Sequence, residues 1–316
     1  MDLVYFGSGG FGLPTLAALA QRHTIWAVVT QPDRPAGRGG ALTPTPVAQW
    51  AAEHLAGVPV LKPEDVNEAG ACARVRGAPA AAWVVIAYGQ KLGRALLDGR
   101  FATNLHASLL PRWRGAAPVA AAILAGDAET GNSVITLAER MDAGLVLGQS
   151  RRALDPDLTA GELAQMLAQD GPALVLDVLA RHEQGTLEGT PQDEAGVTLA
   201  PKLSKGDGTV DLSRPAAECR ARVHGLTPWP GVAVKLGGVE LKLWRVQLAG
   251  GGSDGVVPGT LVDVPEGLVA CGAGTLLRLV EVQPAGKRRM GWGEFIRGHK
   301  VAPRERLVSA RGGQDG

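Results

Sequence analysis

The sequence predicts a parallel α/β domain followed by a small all-β domain, a barrel or a sandwich. Three observations carry that reading. Short apolar runs alternate with helical patterns through the first half of the chain. A polar, turn-rich and aperiodic stretch, TLEGTPQDEAGVTLAPKLSKGDG, then interrupts at about residues 186–208. Beyond it the signals are short strands separated by tight turns. The expected organisation is a first domain over residues 1–188, a linker over 189–207 and a second domain over 208–316. A chain of 316 residues is long for one domain and suits two.

The elements follow in order. LVYFG (3–7) reads as a buried strand, PTLAALAQR (14–22) as a helix and TIWAVVTQ (24–31) as the next strand. AAWVVIAYG (81–89) and the run into NLHA (104–107) are further buried strands. AAPVAAAILAGD (116–127) is a helix with Gly126 as its stop signal. SVITLAERMDAG (133–144) opens with another strand. After the polar stretch, VAVKLGGVELKLWRVQL (232–248) reads as a hairpin turning at Gly237-Gly238. GTLVDV, GLVAC and TLLRLVEVQ complete the β signals.

Composition narrows the classes. The sequence is 45% hydrophobic, enough for a sizeable core. Its most apolar segment, APAAAWVVIAYG, is too short to span a bilayer, and no signal peptide is expected. Cys72, Cys219 and Cys271 are odd in number and far apart, so neither a disulfide framework nor a metal site is expected, and a cytoplasmic location is. Residues 1–190 carry a net charge of −3 and residues 191–316 of +4. A mildly basic second half is compatible with a polyanionic partner or with a solvated surface.

Two motifs compete for the chemistry. GSGGFG (7–12) matches G-x-G-x-x-G after a strand, and Asp33 lies about where a ribose-binding acid would fall. Yet Asp33 sits in a Pro/Gly/Arg loop, and glycines at a first strand-to-helix turn serve close packing equally well. NLHASLLPRWRG (104–115) carries more. Period-two geometry puts Asn104 and His106 on one face, at the carboxyl end of a strand where ligands bind. An amide donor beside an imidazole suits acyl transfer. The amide can bind a developing oxyanion, worth about 3–4 kcal/mol, and the imidazole can share that oxygen or move a proton. Asn104 as a cap and His106 as a packed side chain are the competing structural roles. No serine elbow or reactive-cysteine context accompanies the pair, which favours direct transfer to a bound amine. Asp142, in ERMDAG, could complete the site by reaching back toward the imidazole, or could simply form its turn.

The stretch N-L-H-x-S-L-L-P-R-W-R-G-A-A-P resembles the signature of the folate-dependent formyltransferases, in the extended form found in the methionyl-tRNA formyltransferases. Asp142 lies 36 residues after His106, the spacing of that family's Asn, His and Asp trio. TQPDRPAGRG (30–39), VVIAYG (84–89), PKLSK (201–205), TPWPG (227–231) and QPAGKRRM (283–290) resemble the family as well. One departure stands out: where many relatives continue with L-D-T-G-D, this chain has Leu145-Val146-Leu147-Gly148-Gln149.

The resemblance implies a Rossmann-like parallel-sheet formyltransferase domain and an OB-like C-terminal β-barrel that binds tRNA. It implies formyl transfer from 10-formyltetrahydrofolate to the α-amine of initiator methionyl-tRNA. Asn104, His106 and Asp142 are the implied catalytic residues. The folate is expected along Ser108, Leu109, Leu110 and Pro111 and against Tyr88 and Gly89. Arg34 and Arg38, in the long 31–46 loop, and Lys202, Lys205, Lys287, Arg288 and Arg289 are the expected tRNA contacts. Arg297, Lys300, Arg304 and Arg306 are further candidates, and Arg112 and Arg114 are expected near the acceptor strand. The enzyme is expected to be a metal-free monomer.

Overall fold

The computed structural model describes residues 1–36 and 40–310. The chain forms two compact units. The first comprises Met1–Gly115, Gly131–Arg152 and Ala164–Leu199; the second comprises Ala116–Thr130, Ala153–Leu163 and the residues from Ala200 onward.

Seven strands make the sheet of the first unit. They are β1 (Asp2–Gly7), β2 (Thr24–Val29), β5 (Val60–Leu61), β6 (Ala82–Ile86), β7 (Phe101–His106), β9 (Glu129–Thr136) and β10 (Val146–Ala153), in the order β10-β9-β7-β6-β1-β2-β5. A separate ribbon, β3 (Arg34–Ala36) against β4 (Ala41–Thr43), stands in the 31–46 segment, and β8 (Arg114–Gly115) follows β7. Strands β5, β2, β1, β6 and β7 are parallel. The expectation of a parallel sheet needs one amendment: β9 runs antiparallel to β7, with His106 opposite Ser133. The chain between them leaves and re-enters at the same edge of the sheet, and such antiparallel edges on parallel sheets are common.

Alternation along the strands sorts the core. Leu3, Tyr5, Val84, Ile86 and Leu105 face one side with α1 (Leu13–Arg22), α2 (Pro46–His54) and α6 (Ala160–Glu183), through Leu16, Leu19, Val47, Val175 and Val178. Val4, Phe6, Trp83 and Val85 face the other, with Val75 of α3 (Ala69–Arg76) and Leu96 of α4 (Arg94–Leu97). Each such buried side chain contributes about 1.5–3 kcal/mol relative to exposure. The glycine fingerprint serves this packing. A Cβ at Gly7 would lie 2.9 Å from the Ile86 carbonyl oxygen, and one at Gly12 3.2 Å from the Ile86 side chain.

The second unit contains α5 (Pro118–Ala125), ended by Gly126 in the left-handed conformation (φ 68°), and α7 (Ala216–Gly225). Its sheet runs β14 (Leu261–Asp263), β15 (Leu268–Ala270), β16 (Leu276–Pro284), β13 (Val239–Ala249), β12 (Val232–Leu236) and β18 (Val308–Ser309). The ends meet: Leu261 N–H donates to the Glu305 carbonyl and Leu307 N–H to that of Gly259, each at 2.8 Å. The curled sheet thereby closes on itself, as the β-barrel expectation required. Gly237 and Gly238 both take positive φ, 54° and 81°, which is what a two-residue turn matching strand twist needs. Strands β11 (Leu199–Ala200) and β17 (Met290–Gly291) and helix α8 (Trp292–Gly298) complete the elements. No helix among the described residues is long and apolar enough to cross a membrane.

Candidate active site

Strand β7 delivers Asn104 and His106 to one face, with Leu105 turned into the opposite core. His106 is buried, 6% exposed, whereas Asn104 is partly exposed. The His106 Nε2 lies 2.9 Å from the Trp113 carbonyl oxygen. A carbonyl only accepts, so Nε2 carries a proton, and Nδ1 is the nitrogen left for chemistry. Nδ1 faces the Asp142 carboxylate, with Oδ2 at 3.7 Å. The same Oδ2 accepts from the Gly115 N–H at 2.8 Å. Asp142 and Trp113 both have left-handed backbones, φ 53° and 64°, unusual for residues with a side chain.

The 108–111 corner is held from below. Ser133 Oγ donates to the Ser108 carbonyl at 2.7 Å and accepts from the Leu110 N–H at 3.0 Å. Gln149 Nε2 donates to the Leu110 carbonyl at 2.8 Å and to Ser133 Oγ at 2.9 Å. Ser108 Oγ donates to the Arg112 carbonyl at 2.6 Å. Ser108 and Leu110 are buried, whereas Leu109 and Pro111 are partly exposed. The Leu110–Pro111 peptide is cis. After β6, Ala87 and Gly89 are exposed with positive φ, 49° and 93°, around a buried Tyr88. The Tyr88 ring packs edge-on against Phe6, and its carbonyl accepts from Ser8 Oγ. The exposed backbone at this turn is therefore that of Ala87 and Gly89.

Arg114 departs from expectation. Its side chain is buried rather than turned toward a nucleic acid. Nε donates to Gln192 Oε1 at 2.9 Å and Nη2 to Glu194 at 3.0 Å. Hydrogen bonds from Arg114 and then Arg140 hold the Glu194 carboxyl below the usual carboxylate range. Exposed Arg112 lies over the Trp113 ring at 4.9 Å. The residues that fix the site but escaped sequence reasoning are Ser133, Gln149 and Gln192. Only Gln149 carried a signal, as a departure from the family pattern.

The expected polyanion contacts among the described residues are exposed. Arg34 pairs with Glu64 at 2.9 Å. Lys202 and Lys205 lie on the surface, as does Lys287. Arg288 pairs with Glu294, and Arg289 pairs with Glu281 while lying 5.0 Å from the Trp244 ring. Arg38 lies outside the described residues. No cluster of metal-ligating side chains occurs among the described residues.

Comparison with known proteins identifies the family. Residues 2–179 match the formyl transferase family model, and residues 202–300 match the formyl transferase C-terminal domain. The methionyl-tRNA formyltransferase of Acidobacterium capsulatum is 43% identical over 313 residues, which cover 97% of this chain and 99% of that protein. The fold is shared with an N-formyltransferase from Helicobacter canadensis, solved in complex with folinic acid and dTDP-3-aminofucose. That likeness has a TM-score of 0.66 at 13% identity, over 89% of this chain and 98% of that one. It is shared as well with HypX from Aquifex aeolicus, solved with tetrahydrofolic acid, at a TM-score of 0.63 and 16% identity over 96% of this chain. The chain spans about half the length of HypX, 48% of it. With its Asn104, His106 and Asp142 gathered at the carboxyl end of the sheet and this similarity running nearly end to end, the chain belongs to the formyl transferase family, among the methionyl-tRNA formyltransferases.

Proposed function

We propose that the protein transfers the formyl group of 10-formyltetrahydrofolate to the α-amine of initiator methionyl-tRNA, with Asn104, His106 and Asp142 as its catalytic residues. The observation that carries this reading is the convergence of His106 Nδ1 and the Asp142 carboxylate beside the partly exposed Asn104. A free α-amine has a pKa of about 8, and esterification to tRNA lowers it, so a neutral amine is available without a strong base. The amine nitrogen attacks the formyl carbon, and Asn104 donates to the resulting oxyanion, with His106 donating beside it through Nδ1 once that nitrogen has taken up a proton. Asp142 orients the imidazole and a water through which the amine proton departs. Collapse breaks the bond from the formyl carbon to the folate nitrogen, which leaves carrying a proton.

The folate is read along the Ser108–Pro111 corner and the exposed backbone at Ala87–Gly89. The tRNA is read against Arg34, Arg38, Lys202, Lys205, Lys287, Arg288 and Arg289, where cations meet phosphates. The protein is taken to act as a cytoplasmic monomer, and three free cysteines suit a reducing compartment.

The test is mass spectrometry of charged initiator tRNA incubated with the protein and 10-formyltetrahydrofolate. One added formyl group on the methionine, absent with His106→Ala, is the expected result. Formylation of a nucleotide-linked amino sugar, with none on methionyl-tRNA, would overturn the assigned acceptor.

A further inference from the structure

Asp142 is held by a side chain far along the chain. Gln192 Nε2 donates two hydrogen bonds, to the carbonyl of Asp142 at 2.7 Å and to that of Gly144 at 2.8 Å. Its Oε1 accepts from Arg114 Nε at 2.9 Å. The amide's orientation is unambiguous, because its nitrogen meets only carbonyls and its oxygen only a guanidinium. Arg114 is itself fixed: its backbone N–H donates to the Thr198 carbonyl at 2.9 Å and its Nη2 to Glu194. The segment bearing Gln192 is anchored at Thr190, whose N–H and carbonyl exchange bonds of 2.9 and 2.8 Å with Val146. The two clasped carbonyls are that of the left-handed Asp142 itself and the one two residues beyond it. The carboxylate end of the same residue meets the Gly115 N–H and His106 Nδ1.

We infer that Gln192, oriented by Arg114, is a positioning residue of formyl transfer: it clasps the Asp142 turn and so aims the carboxylate at His106. This inference rests on the catalytic role proposed for Asp142. It assigns a task to the polar 189–207 segment, which carries no chemistry legible in composition. It also explains why Arg114 is buried beside the site instead of facing solvent.

The test measures kcat and KM for both substrates in Gln192→Leu, Asp142→Ala and the double variant, with thermal unfolding of each. Loss of the clasp should lower kcat by roughly 10²-fold, the scale of an ångström-sized misplacement, with both KM values within about two-fold. Added to Asp142→Ala it should cause no further loss, since the two changes remove one device. Wild-type kcat in a folded Gln192→Leu protein overturns the inference. So does a loss that multiplies with that of Asp142→Ala, as a merely structural role requires. Wild-type turnover by Asp142→Ala instead removes the proposed catalytic role itself. If the leucine variant does not fold, Gln192→Glu keeps the Arg114 partner but sets a carboxylate against two carbonyls. Its kcat should fall at least as far, and unchanged kcat there overturns the inference equally.

Discussion

Two regions of this molecule carry its proposed chemistry, and they are built on opposite terms. Around residues 104–115 and 142, polar groups are held by fixed partners, some within the stretch and some on neighbouring strands. Trp113 sets the His106 tautomer, Gly115 holds the Asp142 carboxylate, and Ser133 and Gln149 hold the 108–111 corner. Around residues 281–294, exposed cations pair with partly exposed carboxylates of the same unit, Arg288 with Glu294 and Arg289 with Glu281. Burial explains the difference. A polar group withdrawn from water needs its partner in place, whereas an exposed charge has water as an alternative. A reacting centre needs the first arrangement, and a surface meeting a flexible polyanion suits the second.

The largest expected effects therefore fall in the first region. Replacing His106 by alanine should lower kcat by roughly 10²–10⁴-fold. Replacing Asn104 by alanine should cost about 10²–10³-fold as one oxyanion donor is lost. Single-turnover formylation measures both. A loss under ten-fold for either would break the comparison, because it would mean that the fixed cluster is scaffold rather than machinery.

Ser133→Ala tests the corner at an intermediate scale. It removes the donor to the Ser108 carbonyl and the acceptor of the Leu110 N–H in a buried site. Stability should fall by roughly 1–3 kcal/mol in urea unfolding. KM for the formyl donor should rise while KM for methionyl-tRNA holds. An unchanged donor KM would separate the corner from folate binding.

Helix α7 of the second unit carries a buried titratable group as well. His224 is fully buried, and its Nε2 accepts from the Val246 N–H at 3.2 Å. Burial pushes its pKa below the ordinary imidazole value, against the opposing pull of the Pro156 carbonyl and Asp157, with nearby Arg245 and Arg220 acting in the same direction as burial. The unfolded chain then binds the proton more tightly than the folded one. The stability contribution is present in full above about pH 6.5 and declines as pH falls below that, by up to about 1.4 kcal/mol per pH unit. Unfolding midpoints between pH 7 and 5 should show this slope, and His224→Gln should flatten it.

The residues legible from sequence were those whose own side chains bear the proposed chemistry. Asn104, His106 and Asp142 combine suitable groups with a recognisable spacing, and period two places the first pair on one face. The strand–helix alternation, the Gly126 helix stop and the Gly237-Gly238 hairpin were legible because each depends on local sequence rules. Ser133 and Gln192 were not. They act on backbone carbonyls and amides whose positions exist only once distant strands and loops have come together. Arg114 misled for the same reason: a guanidinium in a basic, tryptophan-bearing stretch reads as a surface contact until Gln192 and Glu194 take it inward. The antiparallel β9 was hidden because strand direction leaves no mark on a strand's composition.

The smallest effects belong to the basic surface, and salt dependence reveals them better than affinity does. Arg288→Ala and Arg289→Ala each remove one exposed cation from a partly exposed ion pair. Such pairs contribute at most about 1 kcal/mol to stability, so unfolding midpoints should barely move. If either guanidinium meets a phosphate of the tRNA, the slope of log affinity against log salt should lessen by about one for that variant. Arg114→Ala supplies the contrast: stability should fall by roughly 1–3 kcal/mol, because Gln192 loses its partner, while the salt slope stays put. Equal salt slopes for wild type and both surface variants would remove Arg288 and Arg289 from the tRNA interface. A reduced slope in Arg114→Ala would mean instead that the buried arginine reaches the nucleic acid after all, and the division between the two regions would fail.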